Sequence, residues 1–138
     1  METQAQETVE GGCLCGAVRY RVPYPFVGVI GHCHCTMCRR ASGAPVVTWF
    51  TVRKDDFQLV SGATRIYRSS AHAQRGFCPD CGSQITFYSA READFIDVTV
   101  GTLDTPERFP PAKHIWTDTR LPWLHLDEHL PDHKSEHA

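Results

Sequence analysis

The sequence predicts a mostly β fold, and two observations lead to that prediction. Short runs of apolar and β-branched residues recur along the chain and are broken by Gly, Pro, Asp and Ser. No stretch has the sustained 3.6-residue apolar period of a long amphipathic helix. Strands of this length, separated by turns, indicate antiparallel sheets in a single domain, and 138 residues are enough to build one core.

Seven segments have the pattern of a strand. Residues 18–22 alternate apolar side chains with arginines, which is the two-residue period of a half-buried strand. The segment 46–52 is the most strongly β-prone, and we expect it at the centre of a sheet. The segment 57–60 ends at a Ser-Gly turn, so a hairpin with 64–68 is expected. The remaining expected strands are 27–30, 84–88 and 95–100.

Helical signals are confined to two single turns. One is expected at 36–41, before a Ser-Gly pair, and the other at 105–108, whose threonine is placed to cap it and whose proline suits the first helical position. The ends of the chain, 1–10 and 131–138, are polar and lack apolar periodicity. We therefore expect two flexible tails around a domain that spans 11–130.

Composition and charge argue against several classes of partner. The net charge of −2 gives no electrostatic footprint for nucleic acid. The N-terminal segment lacks the basic and apolar regions of a signal peptide, and no apolar run approaches the length of a membrane span. A reducing, cytoplasmic location is expected, where disulfides rarely persist. Seven cysteines, an odd number, cannot all pair within one chain.

Every cysteine belongs to one of three short clusters. Their sequences are Gly-Cys-Leu-Cys-Gly at 12–16, Cys-His-Cys-Thr-Met-Cys at 33–38 and Cys-Pro-Asp-Cys-Gly at 78–82. Structural cysteines that bind nothing are more often isolated residues of the core. Cysteines two or three positions apart are typical of metal ligands, and in a reducing compartment zinc is the expected ion.

The first and third clusters predict one closed zinc site. The third has the form of a zinc knuckle, in which two thiolates grip one ion and the following glycine permits a tight turn. A structural zinc ion takes four ligands, so Cys13 and Cys15, which have a trailing glycine of their own, are the natural complement of Cys78 and Cys81. Such a site would link the first strand region to the middle of the chain.

The middle cluster offers three sulfur ligands, Cys33, Cys35 and Cys38. Three protein ligands leave one position of a tetrahedral ion open, which is the arrangement found in catalytic zinc sites. A thiolate-rich site of this kind suits a soft incoming ligand such as a sulfur. We expect the charges of Arg39 and Arg40 to offset the anionic cluster or to attract an anionic substrate.

Two other interpretations of the middle cluster remain open. A histidine could close the site as a fourth ligand, and the candidates are His32, His34, His72 and His114. The C-x-x-C pair could instead exchange disulfides, although the βαβ context of a redox motif is missing here.

The ordered set of three cysteine motifs resembles the glutathione-dependent formaldehyde-activating enzyme family, which includes centromere protein V-like proteins. The resemblance extends over about residues 11–130 and includes Gly-Thr-Leu-Asp at 101–104, His-Ile-Trp at 114–116 and Leu-Pro-Trp at 121–123. It implies an all-β fold of twisted antiparallel sheets stapled by zinc, similar to the B-type methionine sulfoxide reductases.

The resemblance also implies two Zn²⁺ ions per chain, one structural and one reactive. The implied ligands are Cys13, Cys15, Cys78 and Cys81 for the structural ion, and Cys33, Cys35 and Cys38 for the reactive, catalytic ion. The implied partner is a small thiol such as glutathione. The implied activity condenses it with formaldehyde to S-hydroxymethylglutathione, which is formally a carbon–sulfur lyase reaction.

Two functions of other classes compete with this one. The first is a non-catalytic, zinc-stabilised binding module in which both ions are structural. The second is a zinc-ribbon nucleic-acid binder, for which Arg65, Arg68 and Arg75 are the arginines that could form a small basic patch. A filled fourth coordination position would favour the first, and salt-dependent DNA binding would favour the second.

Overall fold

The computed structural model describes residues 7–135, whose strands form two sheets. Within these residues the strands are β1 (Glu7–Gly12), β2 (Arg19–Tyr24), β3 (Val27–Cys33), β4 (Val47–Arg53), β5 (Gln58–Ser61), β6 (Arg65–Arg68), β7 (Ala73–Phe77), β8 (Gln84–Ser89), β9 (Phe95–Thr99) and β10 (Lys113–Ile115). One short helix, α1 (Thr36–Ser42), lies between β3 and β4. Short 3-10 turns lie at Lys54–Asp56, Ala90–Glu92, Val100–Thr102, Pro106–Arg108 and Thr117–Thr119.

The two sheets differ in size and in strand direction. The smaller has the order β1-β2-β5, and the larger has the order β10-β3-β4-β9-β8-β7-β6. Neighbouring strands are antiparallel except β10, which runs parallel to β3 at the edge of the larger sheet. The mostly β prediction is confirmed, with a mixed larger sheet in place of a purely antiparallel one, because β10 returns to that edge by a long connection.

The core is built from the facing sides of the two sheets. Tyr20 and Val22 from β2 pack with Phe50 and Val52 from β4 and with Val98 from β9, and each of these side chains is at most 2% exposed. The alternation at the start of β2 therefore buries its apolar residues and leaves its arginines outside the core. Burial of these aromatic and β-branched side chains is the main favourable contribution to folding.

The expected hairpin of β5 with β6 is wrong. β5 pairs with β2, with Arg19 opposite Ser61, whereas β6 pairs with β7, with Arg65 opposite Phe77. Both strands are exposed along their whole length, so no shared buried face holds them together. The Ser-Gly signal correctly indicates a turn, but a turn does not specify the partner of the strand that enters it.

The expected N-terminal tail, 1–10, is wrong for residues 7–10. Residues 7–10 belong to β1, which pairs with β2 along its length and buries Val9. Polar composition concealed this strand because backbone hydrogen bonds, rather than apolar side chains, hold most of it. Residues 1–6 lie outside the described part of the chain.

The expected C-terminal tail, 131–138, is wrong for residues 131–133. The backbone N–H of His114 donates to the carbonyl of Pro131, and the N–H of His133 donates to the carbonyl of His114. These bonds fix 131–133 beside β10, although the segment is polar and has no apolar period. Residues 136–138 lie outside the described part of the chain.

Both expected helical turns form, with one difference in capping. The turn expected at 36–41 is α1, and the turn expected at 105–108 is the 3-10 turn at Pro106–Arg108. Thr105 precedes that turn but makes no side-chain capping hydrogen bond. Within residues 7–135, no helix has the length and apolar character needed to cross a membrane.

Candidate functional site

Four cysteines from two distant loops converge beside the core. The Sγ atoms of Cys13, Cys15, Cys78 and Cys81 all lie within 4.8 Å of one another. The Sγ of Cys15 is 3.6 Å from that of Cys13 and 3.8 Å from that of Cys78. Zinc–sulfur bonds of about 2.3 Å in a tetrahedral site separate the sulfurs by about 3.8 Å. The four-cysteine cluster therefore fits an ion such as zinc, and its ligand count leaves no open position.

Two glycines allow the chain to turn tightly behind each pair of sulfurs. Gly16 and Gly82 have φ angles of 84° and 80°, in the left-handed region that side chains rarely adopt. The N–H of Gly16 donates to the carbonyl of Cys13, and the N–H of Gly82 donates to the carbonyl of Cys78. The glycine that follows each cysteine pair in the sequence is therefore required by the geometry of the turn.

Ser83 connects the two loops of the four-cysteine cluster. Its hydroxyl accepts a hydrogen bond of 3.0 Å from the N–H of Leu14 and lies 3.2 Å from the Sγ of Cys81. Hydrogen bonds from the hydroxyl and the backbone of Ser83 lower the pKa of the Cys81 thiol to about 5. Cys81 is thereby held as the thiolate, the form that binds metal. No feature of the sequence singled out Ser83.

The other three cysteines meet where β3 passes into α1. Cys33 ends β3, Cys35 caps the N-terminus of α1, and Cys38 lies in the first turn of the helix. Their Sγ atoms lie within 4.8 Å of one another, with 3.5 Å between those of Cys33 and Cys38. The strand-to-helix turn thus folds the motif into three converging sulfurs. These separations fit three corners of a tetrahedral metal site.

Hydrogen bonds within the three-cysteine cluster favour the thiolate form of Cys35. Hydrogen bonds from the thiols of Cys33 and Cys38 hold the pKa of Cys35 far below its ordinary value. The N–H of Cys38, 3.1 Å from the Cys35 Sγ, adds to this effect. The same shared hydrogen bonds, together with burial, raise the pKa of Cys33. A thiolate supported by donors is a prepared ligand for a soft cation.

The three-cysteine cluster opens into a cleft of about 1040 Å³. The cleft lies on the face of the larger sheet opposite the core, because Thr51 and Asp97 alternate with the buried Phe50 and Val98. A row of paired residues crosses four strands to form its floor. The row runs from Arg75 on β7 through Phe87 on β8 and Asp97 on β9 to Thr51 on β4.

Apolar side chains form much of the cleft wall. Trp49 is almost fully buried, whereas Val29, Met37 and Trp116 expose 55%, 45% and 39% of their surface at the rim. Exposed apolar residues grouped around a concave site are typical of places where an organic ligand binds. The cleft therefore combines a sulfur cluster, apolar walls and a few charged groups.

Arg75 is the arginine that contacts the sulfurs. Its Nη1 and Nη2 atoms both lie 3.6 Å from the Cys38 Sγ, and the residue is 5% exposed. Arg39 and Arg40, which we expected to serve the cluster, make no hydrogen bond to its sulfurs within residues 7–135. The expectation of Arg75 in a surface patch is wrong, since β7 places it on the floor of the cleft.

The candidate histidine ligands do not join the three-cysteine cluster. Within residues 7–135, no histidine nitrogen lies with the three sulfurs inside the 4.8 Å that groups them. His72 lies exposed on the cleft wall. His32, His34 and His114 are buried in a hydrogen-bonded group with Asp127. Among the described residues, therefore, no histidine supplies the fourth ligand of a tetrahedral site at the three sulfurs.

The buried histidines form their own polar network. The Nε2 of His114 donates to the Asp127 carbonyl at 2.9 Å, so its Nδ1 accepts from the Nε2 of His34, also at 2.9 Å. The Nε2 of His32 lies 2.9 Å from the Asp127 carboxylate. Burial, helped by the charge of Arg120, lowers the pKa of His34 to about 4. This network ties β3 and β10 to the C-terminal segment.

A solved structure supports the fold. The crystal structure of a Rhodobacter sphaeroides protein matches with a TM-score of 0.58 at 21% sequence identity. The match covers 89% of this chain and 98% of that chain. At this identity the likeness concerns the fold alone.

Comparison with known sequences shows the family. A curated Halomonas elongata protein, provisionally named a glutathione-dependent formaldehyde-activating enzyme, is 28% identical over 136 residues, covering 90% of this chain and 84% of its own length. An uncharacterised lyase of Schizosaccharomyces pombe is 30% identical over 80 residues, covering 56% of each protein. The family model described as glutathione-dependent formaldehyde-activating enzyme matches residues 8–119, which contain all seven cysteines. The chain therefore belongs to the glutathione-dependent formaldehyde-activating enzyme family.

Proposed function

We propose that the chain is a zinc-dependent enzyme of the carbon–sulfur lyase type that acts on the adduct of a small thiol. In its most specific form, the proposal is that it condenses glutathione with formaldehyde to S-hydroxymethylglutathione. The observation that carries the proposal is the cluster of Cys33, Cys35 and Cys38 in the wall of a cleft large enough for a tripeptide. The family description supports the choice of glutathione and formaldehyde as reactants.

The two donor sets assign different roles to the two ions. Cys13, Cys15, Cys78 and Cys81 would hold a structural zinc ion, because four thiolates complete its coordination. Cys33, Cys35 and Cys38 would hold the catalytic ion. When bound there, zinc would supply a Lewis-acidic position that holds a thiol as its thiolate at neutral pH.

The residues of the cleft would bind and orient the reactants. Trp49 and Phe87 line the cleft beside the sulfurs and would give an organic reactant an apolar surface to pack against. The glutathione sulfur attacks the carbonyl carbon, a carbon–sulfur bond forms, and the carbonyl π electrons move to oxygen. The proton lost by the thiol ends on that oxygen, so the reaction is a net addition that needs no oxidant or reductant. Holding both reactants together is the main gain in rate available to such a site.

A reducing compartment forms part of the proposal. Both clusters need free thiolates, and oxidation to disulfides would remove the metal ligands. We therefore place the active protein in the cytoplasm. Glutathione is itself a thiol, so a compartment that keeps it reduced also keeps the cysteines reduced.

Exchange between ¹³C-formaldehyde and its glutathione adduct tests the proposed function. Zinc-loaded protein is expected to speed the exchange, measured by magnetisation-transfer NMR, by about tenfold or more over buffer. Removal of zinc with a chelator should abolish the acceleration, and added zinc should restore it. S-methylglutathione, which has no thiol, serves as the control for binding without reaction. An exchange rate equal to that in buffer, with both zinc ions retained, would favour the non-catalytic binding module.

A further inference from the structure

We propose that Arg75 is the counter-ion that makes the three-cysteine cluster select an anionic sulfur ligand over a neutral one. The identity of that ligand as a thiol rests on the proposed function. The role of Arg75 as the positive partner of the cluster rests on the geometry of the cluster and of β7. The proposal thus assigns a specificity-determining residue outside the three cysteines themselves.

The first argument is the burial of a charge that lacks a carboxylate partner. Arg75 is 5% exposed, and within residues 7–135 its guanidinium forms no ion pair with an Asp or Glu. Its Nε has no hydrogen-bond partner there either. Burying an unpaired guanidinium is strongly unfavourable, so an anion must lie beside it. The contacts of 3.6 Å from Nη1 and Nη2 to the Cys38 Sγ identify that anion as the thiolate cluster.

The second argument is that Arg75 is held in one orientation. In the sheet it lies opposite Phe87, and its guanidinium carbon lies 5.0 Å from the centre of the Phe87 ring. A guanidinium over an aromatic face is fixed both by packing and by attraction to the ring. The charge of Arg75 is therefore fixed toward the sulfurs instead of reaching out to solvent.

The third argument is that Arg75 lines the same cleft as the cluster. A divalent ion with three thiolates carries a net charge of −1, and a fourth thiolate would make it −2, whereas water or a thioether would leave it unchanged. In a site shielded from water, a fixed cation a few ångströms away favours the more negative state. Arg75 should therefore raise the affinity for a thiol, which binds as a thiolate, and leave unchanged the affinity for the S-methyl analogue, whose sulfur stays neutral.

Two variants separate charge from shape. Arg75→Gln removes the charge. Arg75→Lys keeps the charge but lacks the planar guanidinium with its two adjacent donor groups. Arg68→Gln is the matched control, because it removes one positive charge from the exposed strand β6 beside β7. For each zinc-loaded protein, calorimetry measures the dissociation constants of glutathione and of S-methylglutathione.

The expected result is a loss that depends on the thiol. Arg75→Gln should weaken glutathione binding by about tenfold or more and change S-methylglutathione binding by less than about twofold. Arg75→Lys should keep part of the preference for the thiol, and Arg68→Gln should match the wild type. Equal weakening of both ligands would overturn the proposal, because it would mean that Arg75 binds another part of the tripeptide or only supports the fold. If Arg75→Gln does not fold, the two ligands are compared in Arg75→Lys. Weakening of glutathione binding alone would support the proposal, and equal weakening of both ligands would overturn it.

A second readout separates this proposal from the proposed function. In competition with a chelator, Arg75→Gln should lower the zinc affinity of the three-cysteine cluster by about tenfold and leave that of the four-cysteine cluster unchanged. If wild-type protein binds no glutathione, the proposed function fails, while the zinc affinities still test Arg75. Unchanged zinc affinity in Arg75→Gln would overturn the role of Arg75 as counter-ion.

Discussion

Cys78→Ser is expected to abolish cooperative folding or to lower the free energy of unfolding by about 5 kcal/mol or more. Cys78 is fully buried, belongs to the core, and lies 3.8 Å from the sulfur of Cys15 across the junction of two loops. Its loss removes one ligand of the four-cysteine cluster, and the binding energy of a structural zinc ion is folding energy. Denaturant unfolding followed by circular dichroism measures the change.

Cys15→Ser is the control that separates loss of a ligand from damage to the core. Cys15 is an exposed member of the same cluster, so serine there removes a sulfur without burying a hydroxyl. If metal binding dominates, Cys15→Ser should lose most of the stability that Cys78→Ser loses, and wild-type protein treated with a chelator should resemble both. A Cys15→Ser protein as stable as wild type would show that this cluster does not stabilise the fold through metal.

Cys35→Ser is expected to remove the whole acceleration of adduct exchange, about tenfold or more, and return the rate to that in buffer while the fold survives. Serine is a favourable helix cap, so its oxygen can accept the hydrogen bond that the Cys35 Sγ receives from the N–H of Cys38. The variant therefore removes one thiolate and changes the start of α1 little. One zinc ion should remain, at the four-cysteine cluster. Native mass spectrometry counts the ions, and NMR measures the exchange.

Arg40→Gln is the matched control for Cys35→Ser. Arg40 lies on the same helix, is exposed, and makes no hydrogen bond to the sulfurs within residues 7–135. It should keep both zinc ions and the wild-type rate. Full activity and two zinc ions in Cys35→Ser would refute the assignment of the three-cysteine cluster as the reactive centre.

Ligand counting predicted the pairing of two distant cysteine clusters. A knuckle at 78–82 supplies two ligands, and the pair at 13–15 supplies the two that a closed site needs. The structure brings these four sulfurs together, although more than sixty residues separate the pairs. The short spacing of cysteines within each cluster is visible in the sequence itself, so it could be interpreted without knowledge of the fold. Metal binding at either cluster, and the likeness to B-type methionine sulfoxide reductases, stay predictions.

Strand partners were the part of the fold that sequence could not give. β5 and β6 follow each other across a turn, yet each joins a different sheet. β7, with a glycine in its second half, and β10, with three residues, lack the alternation that identifies a strand. Their places depend on pairing with strands that are remote or short, and such pairing leaves little trace in local composition.

Arg75 and Ser83 show why some site residues escape sequence reasoning. Arg75 lies in an undistinguished segment, and it becomes a partner of Cys38 only because the register of β7 places it opposite Phe87. Ser83 directly follows the knuckle, but its contact with Leu14 depends on the meeting of two distant loops. Arg39 was predicted instead because it adjoins Cys38 in sequence. Adjacency in sequence identified three sulfurs that the structure brings together, whereas the arginine that contacts them comes from a remote strand.

¹¹³Cd NMR of the cadmium-substituted protein is the most direct test of the central claim, that the three-cysteine cluster holds a metal ion with a position open to a thiol. Cadmium prefers the same thiolate ligands, and its chemical shift reports how many sulfurs bind it. The account predicts two signals. The signal from the four-cysteine cluster should not respond to glutathione. The chemical shift of the signal from the three-cysteine cluster should move toward that of the first signal as a fourth sulfur binds. A single signal, or two signals that glutathione leaves in place, would contradict the account.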